Sequence, residues 1–202
     1  MTKAEIRTHI AGKRRDLNPA WVAERSANAQ RIVLGLPEME QALHVGCYLS
    51  LPGEVMTADI LQYCWAAGKR VSIPTLREES GRYEMAAMAA DTPVSRRPGG
   101  GPEPVDSEWV RLADVDLLIL PGVAFDPDGG RLGRGGGHYD RLVAEQRDAA
   151  SGAPLLVGLC FEFQILECVP MAAHDVRLDC VATEDRVIRV RGSKRTESLR
   201  PG

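Results

Sequence analysis

The run VDLLILP at 115–121 places apolar side chains on both faces of any strand it forms, because successive side chains of a strand point to opposite faces. A strand with no polar face must be covered on both sides, and that is the position of an inner strand in a mostly parallel sheet. LLVGLC at 155–160 has the same character. HVGCYLSL at 44–51, RVSIPTL at 70–76, YEMAAM at 83–88 and LDCVATE at 178–184 read as further strands, the last of these closing the sheet. Pro74 marks the end of its strand or an edge position.

Helical signals lie between these runs. Thr2 and Glu5 have capping-box spacing ahead of Ile6 and Ile10, which are one turn apart. Asn18-Pro19 reads as a cap and first-turn proline for a second helix that ends near Gly35 and Pro37. After the break at Pro52-Gly53, Thr57 opens a helix carrying Ile60, Leu61, Cys64 and Trp65 that closes at Gly68. Residues 91–107, rich in proline and with three consecutive glycines, read as an irregular surface excursion. The alternation predicts an α/β fold: three layers, with a mostly parallel, Rossmann-like sheet and helices on both faces. A single domain over 1–190 is expected, followed by a disordered tail at 191–202.

Composition removes several classes of function. With 202 residues the chain has enough length for one ordinary core. A net charge of −3 argues against nucleic acid or an acidic membrane as a bulk partner, so any anion site must be local. No apolar run has the length of a membrane span, and the opening MTKAEIRTHIAGKRRDL has no signal-peptide core. Five cysteines, none in a C-x-x-C pair, point to a reducing cytoplasm without disulfides or structural zinc. Cys47 and Cys160, inside strand-like runs, act as small hydrophobes.

In open α/β sheets ligands gather beyond the carboxyl ends of strands, which singles out 52–57, 122–140 and the segment after 160. The second contains RLGRGGGHYDR. Asp126-Pro127-Asp128-Gly129 predicts a turn. Gly133, Gly135, Gly136 and Gly137 remove Cβ atoms, so that backbone N–H groups can converge on an oxyanion, and a helix starting near Gly137 adds donors. Arg131, Arg134 and Arg141 supply forks that match phosphate. No Gly-Lys-Ser/Thr follows, and the dinucleotide fingerprint fails at His138. On the residues alone, a mobile loop and an anion site both stand.

The longer stretch LPGVAFDPDGGRLGRGGGHYDR resembles the signature of the 5-formyltetrahydrofolate cyclo-ligase (5,10-methenyltetrahydrofolate synthetase) family. KAEIR at 3–7, YLSLPGEVMT at 48–57 and HDVRLD at 174–179 resemble three further pieces of it in order, so the likeness spans 3–184. The resemblance implies an ATP- and Mg²⁺-dependent enzyme in which ATP phosphorylates the formyl oxygen of 5-formyltetrahydrofolate. N10 then closes the ring to 5,10-methenyltetrahydrofolate, releasing ADP and phosphate. It implies ATP contacts from Lys3, Arg7, Arg131, Leu132, Gly133, Arg134, Gly135, Gly136, Gly137, His138 and Tyr139, with Lys3, Arg7 and Arg134 catalytic. Leu49, Glu54 and the stretch 134–139 are implied for folate, with Glu54 accepting the pterin N–H groups, and Leu51 as a further wall. Asp140 and Asp175 are implied for magnesium.

Each assignment has a structural rival: a solvated basic face for Lys3 and Arg7, a turn role for Glu54, a cap or an Arg7 partner for Asp140, and a plain loop acid for Asp175. Two positions depart from the family pattern, Gly136 where some members have lysine and His138 where tyrosine is usual. His174 could orient Asp175, and Trp109 sits in a segment that could cover substrate. A monomer or at most a weak dimer is expected. The rival functions are a non-catalytic folate or nucleotide sensor, and a sugar-phosphate isomerase or CoA-transferase-like enzyme.

Overall fold

The computed structural model describes residues 1–96, 101–147, 153–172 and 175–191. His174 and nearly all of the tail expected at 191–202 lie outside the described residues. The chain opens with α1 (Lys3–Arg15), where the capping box is formed: Thr2 Oγ1 accepts from Glu5 N, and the Glu5 carboxylate accepts from Thr2 N. Asn18 caps α2 (Pro19–Leu34) by accepting from Ala20 N at 2.8 Å. There follow α3 (Pro37–Gln41), β1 (His44–Gly46), α4 (Ala58–Ala66), β2 (Arg70–Arg77) and β3 (Arg82–Ala87). Short strands β4 (Val94–Arg96), β5 (Pro102–Pro104) and β6 (Trp109–Val110) precede β7 (Leu117–Leu120), and a small hairpin is made by β8 (Ala124–Phe125) and β9 (Arg131–Leu132). The chain continues through α5 (His138–Arg147), β10 (Leu155–Leu159), β11 (Cys180–Ala182) and β12 (Val187–Arg189).

Eight strands form the main sheet in the order β12-β11-β10-β7-β1-β2-β3-β6. The five strands β11, β10, β7, β1 and β2 run parallel to one another, while β12, β3 and β6 join antiparallel at the flanks. Both faces are covered, as the apolar runs require. Leu117 and Ile119 face a core built with Ala29 and Val33 of α2 and Ile60 and Cys64 of α4. Leu118 and Leu120 face the opposite core, which holds Phe125 and, from α5, Leu142 and Val143. Each such fully buried aliphatic or aromatic side chain is worth roughly 1.5–3 kcal/mol over exposure. A third cluster, Ile6 and Ile10 with Val123, Ala124, Leu132 and Val169, seats α1 on the β8–β9 hairpin instead of on the sheet. Among the described residues, no helix is long and apolar enough to cross a membrane.

Four expectations are corrected. The strand expected at 44–51 ends at Gly46, and Pro74 lies inside β2, opposite Met85 of β3. The two facts share a cause. Cys47 N donates to Ser72 O at 3.0 Å, and the next rung of that parallel ladder would need an N–H that proline lacks. The chain after Cys47 therefore leaves the sheet and opens a gap over Ile73 and Pro74. Residues 178–184 are not the last strand, because a turn closed by Thr183 N to Arg186 O at 2.9 Å returns the chain as β12. The 91–107 excursion is also not wholly irregular, since β4 and β5 pair antiparallel.

Candidate active site

A cleft of about 350 Å³ opens at the carboxyl ends of β1 and β7. One wall is the segment that leaves β1, with Tyr48, Leu49, Leu51 and Glu54. The other is the chain beyond β7, with Pro121, Gly122, Arg131, Gly133, Arg134, Gly136, Gly137, His138, Tyr139 and Asp140. Two of the three post-strand segments thus line it. The third, after residue 160, contributes support: Gln164 Nε2 donates to Gly122 O at 3.0 Å and to Val123 O at 2.9 Å.

Local bonding explains how each group is held. Asp126, buried in the predicted turn, accepts from Asp128 N, Gly130 N and Val169 N at 3.0, 2.7 and 2.8 Å. That bonding fixes the hairpin whose second strand carries Arg131. The Arg131 guanidinium is buried and donates to Asp140 Oδ1 at 2.7 Å, so the partner of Asp140 is Arg131 and not Arg7. Gly135 and Gly137 have φ of +119° and +62°, conformations that disfavour any side chain. Arg134, directly before them, stands exposed, with no ion pair among the described residues.

Gly136 and His138 prove to be one feature. A Cβ at 136 would lie 2.5 Å from His138 Cδ2, because the imidazole folds back over the glycine. The ring stacks on Tyr83 with centroids 4.7 Å apart and planes 20° from parallel. Tyr83 also meets Tyr139 edge-on at 5.7 Å. Burial pushes the Tyr139 phenol well above its ordinary value, so that phenol is neutral at working pH.

At the opposite wall, Glu54 is buried and clamped by its own turn, with Leu51 N donating to Oε2 at 3.0 Å and Glu54 N to Leu51 O at 3.0 Å. Part of the carboxylate thus serves the turn, as the structural rival reading held. No protein donor among the described residues is given to Oε1. Burial raises the Glu54 pKa, against the opposing pull of that Leu51 bond, Arg14 and Arg134.

The first helix comes to the glycine stretch. Arg7 Nε donates to Gly133 O at 3.0 Å, and its guanidinium lies against Gly135. Lys3 pairs with Asp175 at 2.6 Å, and the same Asp175 oxygen accepts from Ala172 N. These residues border the back of the loop and do not line the cleft itself. The Leu132 side chain is buried against Ile6 and Ile10, away from the cleft, and its carbonyl accepts from Val123 N. Trp109 is likewise not at the cleft. It pairs in β6 and lies under the Arg77 guanidinium at 5.1 Å, while Gly101, Pro102 and Glu103 are the part of the excursion that reaches the site.

Sequence reasoning passed over Tyr83, Ile73, Pro74, Glu103 and Arg14. The first four carry no motif and arrive through strand pairing. Arg14 sits in a Lys-Arg-Arg run that reads as ordinary basic residues of a last helical turn, yet it has the same helical phase as Lys3 and Arg7.

Parallel strands that deliver a glycine loop, arginines and a buried acid to one cleft at their carboxyl ends define an α/β enzyme of the kind that handles a phosphate-bearing ligand. The family model described as the 5-formyltetrahydrofolate cyclo-ligase family matches residues 1–184, and the chain belongs to this family of ATP-dependent ligases. The 5-formyltetrahydrofolate cyclo-ligase of Haemophilus influenzae is 31% identical over 87% of this chain and 94% of its own. That of Escherichia coli is 30% identical over 88% and 98%. The solved structure of Aquifex aeolicus 5,10-methenyltetrahydrofolate synthetase superposes with a TM-score of 0.81 at 30% identity, covering 96% of this chain and 95% of that one. A Mycoplasma pneumoniae 5,10-methenyltetrahydrofolate synthetase shares the fold at 19% identity, with a TM-score of 0.71 over 91% and 99%.

Proposed function

We propose that this chain converts 5-formyltetrahydrofolate and ATP to 5,10-methenyltetrahydrofolate, ADP and phosphate, with the glycine loop holding the nucleotide and Glu54 the pterin. One observation carries the reading: Glu54 and the Arg131–Asp140 stretch line a single cleft, with Arg7 of α1 braced on the same loop. The formyl oxygen attacks the γ-phosphorus as the bond to ADP breaks. N10 then attacks the activated carbon and loses its proton, and the carbon–oxygen bond breaks to release phosphate. No protein nucleophile is needed. The chain's work is positioning and charge neutralisation. Arg134 faces the transferring phosphoryl group, Lys3 and Arg7 extend the positive field, and the backbone N–H groups of 133–137 cradle the phosphates.

The cleft carboxylate Asp140 suits magnesium, and Asp175, behind the loop beside Lys3, is the second acid of this reading. The ion usually takes one or two protein carboxylates and fills its shell with phosphate oxygens and water. Asp140 borders the cleft with Oδ1 on Arg131, and Asp175 stands beside Lys3. These two would hold Mg²⁺, which when bound neutralises phosphate charge. Leu49 and Leu51 wall the pterin, and Tyr83, His138 and Tyr139 form an aromatic boundary. The five thiols are unpaired, in keeping with action in the cytoplasm.

The test is direct. Recombinant protein with 5-formyltetrahydrofolate and Mg·ATP should produce the near-ultraviolet absorbance of the methenyl product only when ATP is present. Ligand binding without product would leave a sensor, and neither binding nor product would end the proposal. Within it, Glu54→Gln is expected to raise KM for the folate roughly 10–100-fold, the worth of a charged hydrogen bond, with KM for ATP unchanged. Because the carboxylate is the binding form and burial raises the Glu54 pKa, wild-type kcat/KM for folate should fall on acidification from above the ordinary glutamate range. The glutamine variant should lack that limb.

A further inference from the structure

Lys3, Arg7 and Arg14 fall within about 40° of one another around a helix of 3.6 residues per turn. Their neighbours in the basic run behave differently. Lys13 caps the Phe163 ring at 5.7 Å, and Arg15 is exposed. Arg14 is turned inward. Its stem packs on Gly53, whose φ of +79° lets the chain pass with no Cβ; one placed there would lie 3.3 Å from Arg14 Cβ. Its Nη2 donates to Gly122 O at 2.8 Å. Its Nε is buried with no hydrogen-bond partner among the described residues. Gly53 precedes Glu54, and Glu54 and Gly122 line opposite walls of the cleft. One side chain of α1 thus ties the two walls together from behind the cleft lining.

We propose that Arg14 is the positioning residue of the folate end: it braces the 52–54 turn against Gly122 and supplies the fixed positive charge that keeps Glu54 a pterin-binding carboxylate. The inference rests on the folate role of Glu54 given above. It would be odd to bury a guanidinium and leave one of its N–H groups unsatisfied for packing alone, since burying unpaired polar groups is costly. A charge opposite a buried acid is a return for that cost. The groups facing Glu54 are Arg14 from α1, Arg134 from the glycine loop, Tyr48 from the segment after β1 and Tyr139 from α5. Burial raises both phenols, leaving them neutral, so the two guanidiniums are the charges that oppose its desolvation. Burial also lowers the Arg14 pKa, yet arginine stays charged across the working range.

The experiment compares Arg14→Gln, which keeps a donor but not the charge, with Arg14→Lys, which keeps the charge. Steady-state KM and kcat for both substrates are measured across pH, alongside thermal midpoints. In Arg14→Gln the acid limb of kcat/KM for the folate should move to higher pH. Each unit of movement costs about tenfold on the acid side and disappears in alkali, with KM for ATP unmoved. Arg14→Lys should restore the limb. An unmoved limb in Arg14→Gln, an equal rise in both KM values, or no rescue by lysine would overturn the inference. If only one variant folds, the position of its limb decides: unmoved supports for lysine, and raised supports for glutamine. If neither folds, Arg14 is a packing residue and the inference fails. The reading of Glu54 is tested separately: folate binding unchanged in Glu54→Gln removes that reading, whereas a folate loss there with no limb shift at Arg14 removes only this one.

Discussion

Arg134→Ala is expected to lower kcat roughly 10²–10³-fold, the usual cost of removing one group preorganised for transition-state charge. The thermal midpoint should hardly move. Both halves follow from where the side chain stands. It borders the cleft, it is exposed, and it has no ion pair among the described residues, so the folded state gives up little when it is cut back. The phosphoryl group in flight gives up a fixed positive charge. Lys3 is a less clean target, because its removal also strands Asp175, which is nearly buried beside it. Initial rates of methenyl formation with both substrates saturating distinguish two versions of the role. A fall in kcat marks an interaction made in the transition state, whereas a rise in KM for ATP at constant kcat marks uniform binding. Arg134→Lys should recover part of the loss, since charge returns without the planar fork. Unchanged kcat and KM in the alanine variant would take the residue out of the mechanism.

Much of this site could be read from the chain because the informative residues are local and chemically unusual. Four glycines among arginines after a fully apolar strand, and an acid directly after Pro52-Gly53, constrain the backbone and the charge within a few residues of each other. The capping box of α1 and the cap-proline pair of α2 are local in the same way. What sequence reasoning missed depends on pairing across the fold. Pro74 looks like a strand end until its missing N–H is seen to end a neighbouring strand's ladder instead. β12 is too short and too mixed in polarity to announce itself, and it exists because Thr183 closes a turn. Gly136 and His138 look like two separate departures until the imidazole is seen to occupy the space a side chain at 136 would need. Leu132 lies within a binding motif, but alternation along β9 turns it into the cluster under α1. Arg14 was hidden by its neighbours, since three consecutive basic residues do not disclose which one faces inward.

Asp126→Ala should be the most damaging single change outside the cleft, and the reason lies in how the glycine loop is anchored. The carboxylate accepts three backbone N–H groups, two from its own turn and one from Val169 on a distant segment. It fits because residue 130 is glycine: a Cβ there would lie 2.3 Å from Asp126 Oδ2. Alanine leaves those donors buried without acceptors, at roughly 1–3 kcal/mol for each buried group left unpaired. A total loss of about 3–5 kcal/mol would lower the thermal midpoint by roughly 6–20 °C for a chain of this size. Asparagine is the sharper variant. Its single acceptor oxygen can serve one side of the network, but the amide then presents N–H to N–H on the other. Arg131 and the loop after it hang from this turn, so activity at temperatures where the variant remains folded should also fall, through higher KM for ATP. A variant that melts like the wild type would mean that the turn is held by Pro127 and the hairpin ladder alone. The coupling of stability to nucleotide binding through Asp126 would then be wrong.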